Sequence, residues 1–473
     1  MNVSLSQLQA WLGLPSVGAG QDQVMISGLC TDSRAVTPGC VFVALRGERF
    51  DAHDFLAQVI AQGAAAVVVE HVPAALAGLA MPAALVVSDT RIALGTIGQR
   101  WRQQFTLPLI AVTGSNGKTT VKEMIAAILV AAFGADKSLA TRGNFNNEIG
   151  VPLTLLRLDA GHQAAVIELG MNHPGEIALL TALAEPTVAL VNNAQREHQE
   201  FMASVAAVAE ENGSVIRGLP AGGIAVFPAD DPFTGLWRGY AADKAGSISF
   251  GLSADADVSC SYTGAAHGFG SDLIVTFATA GGPQIFALQL AAAGEHNVRN
   301  ALAAIACTLA IGIDVAAIKR GLETFAPVSG RLQRKLATAV GCAGALVIDD
   351  TYNANPDSVR AAIDVLAQSA APRLLVLGDM GEVGNEGREF HQEIGAYAQQ
   401  RGITQLFTLG DLAADASAAF GPQAQHFNDI AALLAALDAT MTPDTTVLIK
   451  GSRFMKMERA VQHLAGTTSE GTH

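Results

Sequence analysis

The chain has 473 residues, of which 50% are hydrophobic and 15% are charged, and its formal net charge is -14. This length exceeds what one hydrophobic core normally supports, so we expect two to four domains. The acidic balance and the lack of a block of basic residues argue against a nucleic-acid-binding protein. They do not argue against nucleotides, which locally concentrated cations and backbone amides can bind.

The first third of the chain contains three short β-type runs, at residues 41–45, 64–69 and 83–88. A helical pattern at 92–105 follows and leads to Pro108. Because a proline disfavours helix in the residue before it, and an apolar run starts there, a domain boundary is predicted at this point. The first, small α/β domain is therefore predicted to span residues 1–107.

From Pro108 onwards, apolar strands alternate with helices, a pattern typical of a doubly wound parallel sheet. The strands are predicted at 108–113, 164–168, 187–192 and 223–227, and helices at 119–132 and 297–311. We expect a central α/β domain at residues 108–326.

The last third repeats the strand-then-helix pattern, with strands predicted at 344–349, 373–379, 405–410 and 446–451. A helix is predicted around Phe390, Ile394 and Tyr397, whose spacing puts them on one apolar face. This segment predicts a smaller α/β domain at residues 327–473.

The cysteines are few and scattered and form no CxxC pair, which indicates neither a disulfide framework nor a zinc site. They are Cys30, Cys40, Cys260, Cys307 and Cys342. The N-terminus lacks the positive region of a signal peptide, and the longest apolar runs, such as 301–313, are shorter than a membrane span. We expect a cytoplasmic protein without membrane insertion.

The segment TGSNGKTT carries the strongest local signal for a function. It follows an apolar strand and opens a helix, so its backbone N–H groups and the helix N-terminus can bind a polyphosphate. We expect Lys118 to reach the β- and γ-phosphates and the Thr119 hydroxyl to hold Mg²⁺. The predicted nucleotide-binding residues of this phosphate loop are Thr113, Gly114, Ser115, Asn116, Gly117, Lys118, Thr119 and Thr120.

This loop departs from the general GxxxxGK[ST] pattern, whose first glycine would fall at Val112. A glycine turn that happens to hold a lysine is the structural alternative. A phosphate loop by itself also does not distinguish a kinase, an ATPase, a switch protein and a ligase.

TGSNGKTT resembles the loop of the Mur ligases and of their folylpolyglutamate-synthetase relatives. Further segments resemble the MurF type of this family, namely TDSR at 31–34 and the stretches at 141–156, 167–177, 349–362, 377–384 and 448–458. Together these matches extend over nearly the whole chain. Several such segments in one order are far more specific than any single motif.

The resemblance implies three domains: an N-terminal one for a UDP-sugar, a central ATPase, and a C-terminal Rossmann-like domain for the incoming amine. It also implies an ATP-dependent ligase that activates a carboxylate as an acyl phosphate, which the amine then attacks. The implied substrates are ATP, UDP-MurNAc-tripeptide and D-Ala-D-Ala, in peptidoglycan precursor synthesis. We expect a monomer with no nucleic-acid partner.

The resemblance also assigns metal ligands. Glu168, at a strand end, would hold Mg²⁺ together with Thr119, and His198 would hold a second Mg²⁺. A solvated glutamate and a structural histidine are the alternatives. Many Mur ligases place a carbamylated lysine about fourteen positions after this histidine, where this chain has Asn212. The number of metal ions is therefore left open.

For the nucleotide, the resemblance implies that Asn297 and Asn300 contact adenine, although an asparagine cap on the following helix explains them nearly as well. Arg331 would neutralise charge on the phosphates, with a surface arginine as the alternative. Asp350 and Tyr352 would contact ribose and adenine from the C-terminal domain. The catalytic residues implied in this way are Lys118, Glu168, His198 and Arg331.

The resemblance assigns substrate contacts at both ends of the chain. Uridine diphosphate would meet Ser33, Arg34, Gly47 and Asp51, for which a polar turn is the alternative. Asn144 and Asn147 would face the muramoyl peptide. Ser452 and Arg453 would meet the carboxylate of the dipeptide.

Three other functions remain open. Two are ligases of the same superfamily, the MurE type and folylpolyglutamate synthetase, against which the segments DDTYNANP and NFNNEIGVP argue. The third is a nucleotide-dependent regulatory protein that has lost ligation. The intact Lys118, Thr119, Glu168 and His198 argue against it, while Asn212 keeps it open.

Overall fold

A computed structural model of the chain describes residues 1–15, 24–76, 82–197, 200–265 and 269–466. Its strands form three successive α/β units, each with a largely or wholly parallel main sheet, as predicted from the sequence. No helix within these described ranges is both long and apolar enough to cross a membrane.

The N-terminal unit is built on a four-stranded parallel sheet of order β3-β4-β5-β6, next to a small antiparallel pair, β1 and β2. Its elements are β1 (Asn2–Ser4), α1 (Leu5–Trp11), β2 (Met25–Ser27), β3 (Leu29–Cys30), β4 (Val41–Val43), α2 (Leu56–Ala61), β5 (Ala66–Val69), β6 (Ala83–Val86) and α3 (Thr90–Arg102). The strands β4, β5 and β6 lie inside the three predicted runs. Asp89 caps the start of α3 by accepting the N–H groups of Arg91 and Ile92.

The central unit contains a nine-stranded sheet of order β15-β14-β13-β12-β11-β10-β7-β9-β8. Its elements are β7 (Leu109–Thr113), α4 (Lys118–Phe133), β8 (Ser138–Ala140), α5 (Gly150–Leu155), β9 (Ala164–Glu168), α6 (Glu176–Ala184), β10 (Val188–Val191), α7 (Val205–Arg217), β11 (Ile224–Pro228), α8 (Thr234–Tyr240), β12 (Gly246–Gly251), β13 (Val258–Gly264), β14 (Ser271–Phe277), β15 (Gln284–Leu290), α9 (Glu295–Ala310) and α10 (Val315–Glu323). Two apolar cores cover the two faces: Ile110 and Val112 of β7 belong to one, Leu109 and Ala111 to the other.

The edge strands β12 to β15 were not predicted from the sequence. β13, β14 and β15 pair antiparallel, and along β14 buried residues alternate with more exposed ones. A half-exposed antiparallel strand has no continuous apolar run, and the prediction relied on such runs. The doubly wound parallel sheet is therefore confirmed, with an antiparallel extension at one edge.

The order of the strands fixes where a ligand can bind. β7 pairs with β10, and the chain continues from β7 to β8 on one side of this pair but from β10 to β11 on the other side. In open α/β sheets, ligands bind beyond the carboxyl ends of the strands at such a switch point. The phosphate loop follows β7, and Glu168 ends β9 beside it.

The C-terminal unit has a six-stranded sheet of order β16-β17-β21-β18-β19-β20, in which only β16 is antiparallel. Its elements are β16 (Gln333–Leu336), β17 (Leu346–Asp350), α11 (Pro356–Ala367), β18 (Arg373–Gly378), α12 (Gly387–Gln400), β19 (Gln405–Leu409), α13 (Ala413–Phe420), β20 (Ala424–Phe427), α14 (Ile430–Thr440), β21 (Thr446–Lys450) and α15 (Glu458–Ala465). The predicted helix around Phe390 is α12. The carboxyl ends of β17 and β21 carry Asp350 and Lys450.

Candidate active site

The phosphate loop has the backbone geometry that its glycines allow. Gly114 and Gly117 have φ angles of +136° and +82°, which L side chains rarely adopt, and α4 starts directly afterwards at Lys118. A Cβ atom on Gly117 would lie 2.5 Å from Asn300 Oδ1. The positive φ angle and the close approach of Asn300 both require glycine at position 117. An exposed surface turn would not have the second of these restrictions.

Two asparagines after β10 hold this loop, and neither was predicted from the sequence. The Asn116 carbonyl accepts hydrogen bonds from Asn192 Nδ2 at 2.8 Å and Asn193 Nδ2 at 2.9 Å, and the Asn116 N–H donates to Asn193 Oδ1 at 2.9 Å. The signal for them was present, because both follow a buried strand at the carboxyl edge of the sheet. Their amides position the loop backbone without using charge.

The Lys118 ammonium lies over the loop. Its Nζ donates to the carbonyls of Gly114 at 2.5 Å and Ser115 at 3.0 Å, and it forms an ion pair with Glu197 at 3.2 Å. An anion that reaches the loop at this helix N-terminus would meet this largely buried cation and compete with Glu197 for it.

Glu168 is buried, with 2% exposure, and only one of its two carboxylate oxygens has a hydrogen-bond partner. Its Oε1 accepts a hydrogen bond from Asn146 Nδ2 at 2.8 Å, while Oε2 has no hydrogen-bond partner. An unpartnered carboxylate oxygen and the hydroxyl of Thr119, both on the same cavity, fit a hard cation such as Mg²⁺. Within the described residues, no group of three or more His, Cys, Asp or Glu side chains forms a ready metal site.

Arg331 reaches this region from beyond the central unit. Its Nη2 donates to Thr119 Oγ1 at 2.9 Å, and its guanidinium lies 4.0 Å from the centroid of the Tyr352 ring. Arg331 Nε is buried without a hydrogen-bond partner. The residue is therefore not a solvated surface arginine, and its guanidinium faces the Thr119 hydroxyl at the start of α4.

Asn297 and Asn300 do not cap a helix. α9 has Gly294 as its N-cap residue, and Asn297 Nδ2 donates to the Ala293 carbonyl at 2.9 Å. Asn300 accepts from Asn192 Nδ2 at 3.0 Å and donates to Asn297 Oδ1 at 3.2 Å. The two amides extend the network of Asn192 along the cavity wall, so the capping alternative is wrong.

The two neighbouring carboxylates at the end of β17 have different partners. Asp350 Oδ2 accepts from Lys450 Nζ at 2.5 Å, and Oδ1 accepts from the Leu332 N–H at 3.1 Å. Asp349 pairs instead with Lys335 at 2.9 Å. Burial raises the pKa of Asp350, although the Lys450 cation opposes that shift. Lys450 was not predicted as a site residue, yet it lines the cavity beside Asp350.

One cavity of about 820 Å³ lies between the central and C-terminal units. The predicted residues that line it are Ser115, Asn116, Gly117, Lys118, Thr119, Thr120, Asn144, Asn147, Glu168, Asn297, Asn300, Arg331, Asp350 and Tyr352. The structure thus brings together residues that are up to about half the chain apart in sequence. Asn147 Oδ1 also accepts the N–H of Gly150, the first residue of α5, at 2.9 Å.

The predicted uridine-diphosphate residues lie apart from this cavity, in the N-terminal unit. Arg34 is exposed and pairs with Asp32 at 2.7 Å. Asp51 accepts the His53 N–H at 2.9 Å, and the Gly47 N–H donates to the Phe50 carbonyl at 2.9 Å. The carbonyl of the fourth residue, Ser33, accepts a hydrogen bond from Gln58 Nε2 at 3.3 Å.

Ser452 and Arg453 follow β21 and do not line the cavity directly. Ser452 Oγ accepts the Gly381 N–H, and it donates to the Ala354 carbonyl at 3.4 Å. The exposed Arg453 pairs with Glu458 at 3.2 Å. Ser452 thus supports the backbone at Gly381, which does line the cavity.

Asn212 is the residue that stands at the position where the resemblance implies a carbamylated, metal-binding lysine. This residue is fully buried in α7, and its Oδ1 accepts a hydrogen bond from Thr113 Oγ1 at 2.7 Å. The predicted ligand His198 lies outside the described residues.

Protein-family models match the chain in three consecutive segments. The model described as Mur ligase family, catalytic domain, matches residues 25–99; Mur ligase middle domain matches 112–308; and Mur ligase, glutamate ligase domain, matches 330–453.

Curated relatives match almost end to end. A UDP-N-acetylmuramoyl-tripeptide–D-alanyl-D-alanine ligase from Escherichia coli (strain K12) is 40% identical over 467 residues, covering 98% of each chain. A protein of the same name from Bacillus subtilis (strain 168) is 34% identical and covers 94% of each chain.

Solved structures share the complete architecture. MurF from Acinetobacter baumannii superposes with a TM-score of 0.87 at 34% identity, covering 99% of both chains. MurF ligase from Thermotoga maritima, in complex with ADP, gives a TM-score of 0.78 at 25% identity, over 92% of this chain and 96% of that one.

Proposed function

Because this chain belongs to the Mur ligase family, we propose that it is the ATP-dependent ligase that joins D-alanyl-D-alanine to UDP-MurNAc-tripeptide. The observation that carries this proposal is the cavity in which a phosphate loop from the central unit faces Arg331, Tyr352 and Asp350. The name of the relative that is 40% identical along the chain supports the choice of substrates.

The reaction has two steps. A terminal carboxylate oxygen of the tripeptide attacks the γ-phosphorus of ATP, and the bond from phosphorus to the β,γ-bridging oxygen breaks, so that ADP leaves with the electron pair. The amine nitrogen of the dipeptide, after losing a proton, attacks the acyl carbon. The nitrogen then loses its remaining extra proton and the carbon–oxygen bond to phosphate breaks, giving the amide and inorganic phosphate.

The residues of the cavity have distinct tasks in this scheme. Loop N–H groups and Lys118 bind the β- and γ-phosphates at the start of α4. Arg331 places a delocalised cation, held against Tyr352, where negative charge develops during phosphoryl transfer. The stack on Tyr352 restricts the guanidinium, so less order has to be gained in the transition state.

Glu168 and Thr119 would hold Mg²⁺, which when bound supplies positive charge that polarises the transferred phosphoryl group. The unpartnered Glu168 Oε2 supports this role. Asn146, missed in the sequence, orients the other oxygen of this carboxylate at 2.8 Å.

The three units divide the substrates between them in this proposal. Residues 1–107 bind the UDP-sugar, with Ser33, Arg34, Gly47 and Asp51 as contacts. Residues 108–326 bind ATP, and residues 327–473 bind the amine, with Ser452 and Arg453 near its carboxylate. His198 remains the proposed ligand of a second metal ion. We place the enzyme in the cytoplasm, where ATP and UDP-linked sugars are found, as a monomer in cell-wall synthesis.

An omission experiment tests this function. Purified protein is incubated with ATP and Mg²⁺, and ADP and product mass are followed with each of the other two substrates left out in turn. We expect the pentapeptide product and stoichiometric ADP only with both substrates, and neither with Lys118→Ala. Product formation with a single amino acid but not with the dipeptide would reject the proposed acceptor.

A further inference from the structure

The segment that follows β10 has two sides. Gln195 faces the phosphate loop, where its Oε1 accepts from Asn116 Nδ2 at 2.7 Å and its N–H donates to Ser115 Oγ at 2.9 Å. The next residue, Arg196, points to the C-terminal unit. Consecutive residues of one short segment therefore contact the nucleotide loop and the opposite unit.

Arg196 binds two carboxylates of the C-terminal unit. Its guanidinium donates to Asp357 Oδ1 at 2.6 Å and to Glu393 Oε2 at 2.7 Å, and its backbone N–H donates to Asp357 Oδ2 at 2.9 Å. The guanidinium also lies 5.3 Å from the centroid of the Phe390 ring. Arg360 shares Glu393 at 2.9 Å, so two cations meet two anions.

These contacts also shift the pKa values of the two groups that they join. The hydrogen bonds from Arg196 are the largest influence that lowers the pKa of Glu393, and Glu393 in turn raises the pKa of Arg196. The Arg196 side chain is only 25% exposed. Charge-assisted bidentate contacts with this burial are among the stronger polar interactions in proteins.

A second contact between the two units lies two residues before Asp357, at the start of α11. Asn355, the N-cap residue of α11, donates from Nδ2 to Asn116 Oδ1 at 2.9 Å, and Asn116 donates back to Asn355 Oδ1 at 3.4 Å. Asp357 is in the first turn of the same helix. The N-terminus of α11 thus docks on the phosphate loop through Asn355 and on Arg196 through Asp357.

We propose that Arg196 is a positioning residue of the ligation reaction, which holds the C-terminal unit over the phosphate loop by binding Asp357 and Glu393. The proposal rests on the proposed ligase function. Both arms of the guanidinium are engaged by protein carboxylates, so the residue acts through the placement of α11 and not through the nucleotide. When it is lost, the two units close less tightly and water reaches the acyl phosphate before the amine does.

The C-terminal unit is expected to keep its own fold without Arg196. Glu393 retains Arg360, and Asp357 stays in the first turn of α11, where the helix dipole favours a carboxylate. Replacing Arg196 should therefore weaken the closure of the two units without unfolding the C-terminal unit.

The test compares Arg196→Gln, Asp357→Asn and the double variant with the matched control Arg401→Gln, which removes an arginine–aspartate pair inside the C-terminal unit. We expect roughly a tenfold rise in the KM for the dipeptide, at the low end of measured couplings between close charge pairs, and more ADP formed per product. The double variant should be no worse than the worse single variant. The thermal midpoints of all variants should stay close to that of wild type. The control Arg401→Gln should also keep the wild-type KM and ADP-to-product ratio.

A wild-type KM and ADP-to-product ratio in Arg196→Gln would overturn the proposal, as would additive losses in the double variant. If wild-type protein forms no ligation product at all, the proposed function fails first. Closure can then still be read from X-ray scattering with ADP and Mg²⁺. In that measurement Arg196→Gln should remain more extended than wild type, and identical profiles would reject the role of Arg196.

Discussion

Arg331 donates a 2.9 Å hydrogen bond to the hydroxyl of Thr119, a residue 212 positions earlier in the chain. Thr119 belongs to the phosphate loop and lies in the first turn of α4, and Arg331 precedes the first strand of the C-terminal unit. One contact therefore joins the proposed metal ligand of one unit to a cation of the other.

Replacing Arg331 with alanine should lower kcat for ATP-dependent ligation by roughly two to three orders of magnitude, the usual cost of removing one preorganised donor to developing charge. The control is Arg334→Ala, an exposed arginine in β16, which should leave the rate unchanged. Steady-state kinetics at saturating substrates measure both. An equal loss in the two variants would point to a general effect of lost positive charge.

Gly117→Ala should weaken ADP binding at least roughly tenfold, because a left-handed conformation costs an L residue about 1–2 kcal/mol and the new Cβ meets Asn300 Oδ1. Gly235→Ala is the control, since α8 offers open space at that position. Isothermal titration calorimetry measures the affinity of both variants for ADP. Unchanged affinity in Gly117→Ala would show that the loop tolerates a different path.

The buried parallel strands can be predicted from the sequence because they leave long apolar runs. The phosphate loop and Glu168 can be placed as well, because each stands at the carboxyl end of such a strand. Sequence reasoning missed Asn192, Asn193 and Asn146, whose tasks arise only when separate strand ends meet. An asparagine after a strand is common in turns, and nothing local shows which backbone it will hold.

The structure also gives two adjacent carboxylates of β17 different partners. Asp349 and Asp350 are adjacent, but alternation along β17 sends one to Lys335 and the other to Lys450 and the cavity. Lys450 was overlooked because a lone lysine at the end of a strand usually reaches solvent. Its partner is 100 residues away, so only the pairing of β17 with β21 reveals it.

Lys450→Met should destabilise the C-terminal unit by about 3 kcal/mol, because it leaves the buried Asp350 carboxylate without its cation. Adding Asp350→Asn should recover part of the loss. Lys319→Met, which removes an exposed i,i+4 pair with Glu323, should cost under about 0.5 kcal/mol. Urea unfolding followed by circular dichroism gives the comparison. A double variant as unstable as Lys450→Met would show that packing, not charge, dominates.

Because the folded protein requires a neutral His391 ring, mild acid should lower the free energy of unfolding. His391 is fully buried, donates from Nδ1 to the Gly387 carbonyl and accepts the Met380 N–H at Nε2, which requires the neutral ring. Burial lowers the pKa of His391 despite the nearby carboxylates of Asp379 and Asp415. The unfolded chain therefore binds the proton more readily, and stability present above the ordinary pKa of 6.5 is lost as the pH falls below it.

The thermal midpoint of wild type should consequently drop more between pH 7.5 and pH 5.5 than that of His391→Gln. Glutamine keeps an acceptor for Met380 but does not titrate. The depressed pKa of His296, about 4, is common to both proteins and cancels in the difference. Parallel pH dependences in the two proteins would exclude His391 as the cause.

The most direct test of the ligase chemistry follows an oxygen atom. UDP-MurNAc-tripeptide labelled with ¹⁸O in its terminal carboxylate is converted with ATP and D-Ala-D-Ala, and the released phosphate is analysed by mass spectrometry. An acyl-phosphate route transfers one labelled oxygen to inorganic phosphate and leaves the other in the new amide. Unlabelled phosphate, formed while ATP is consumed, would contradict the proposed reaction.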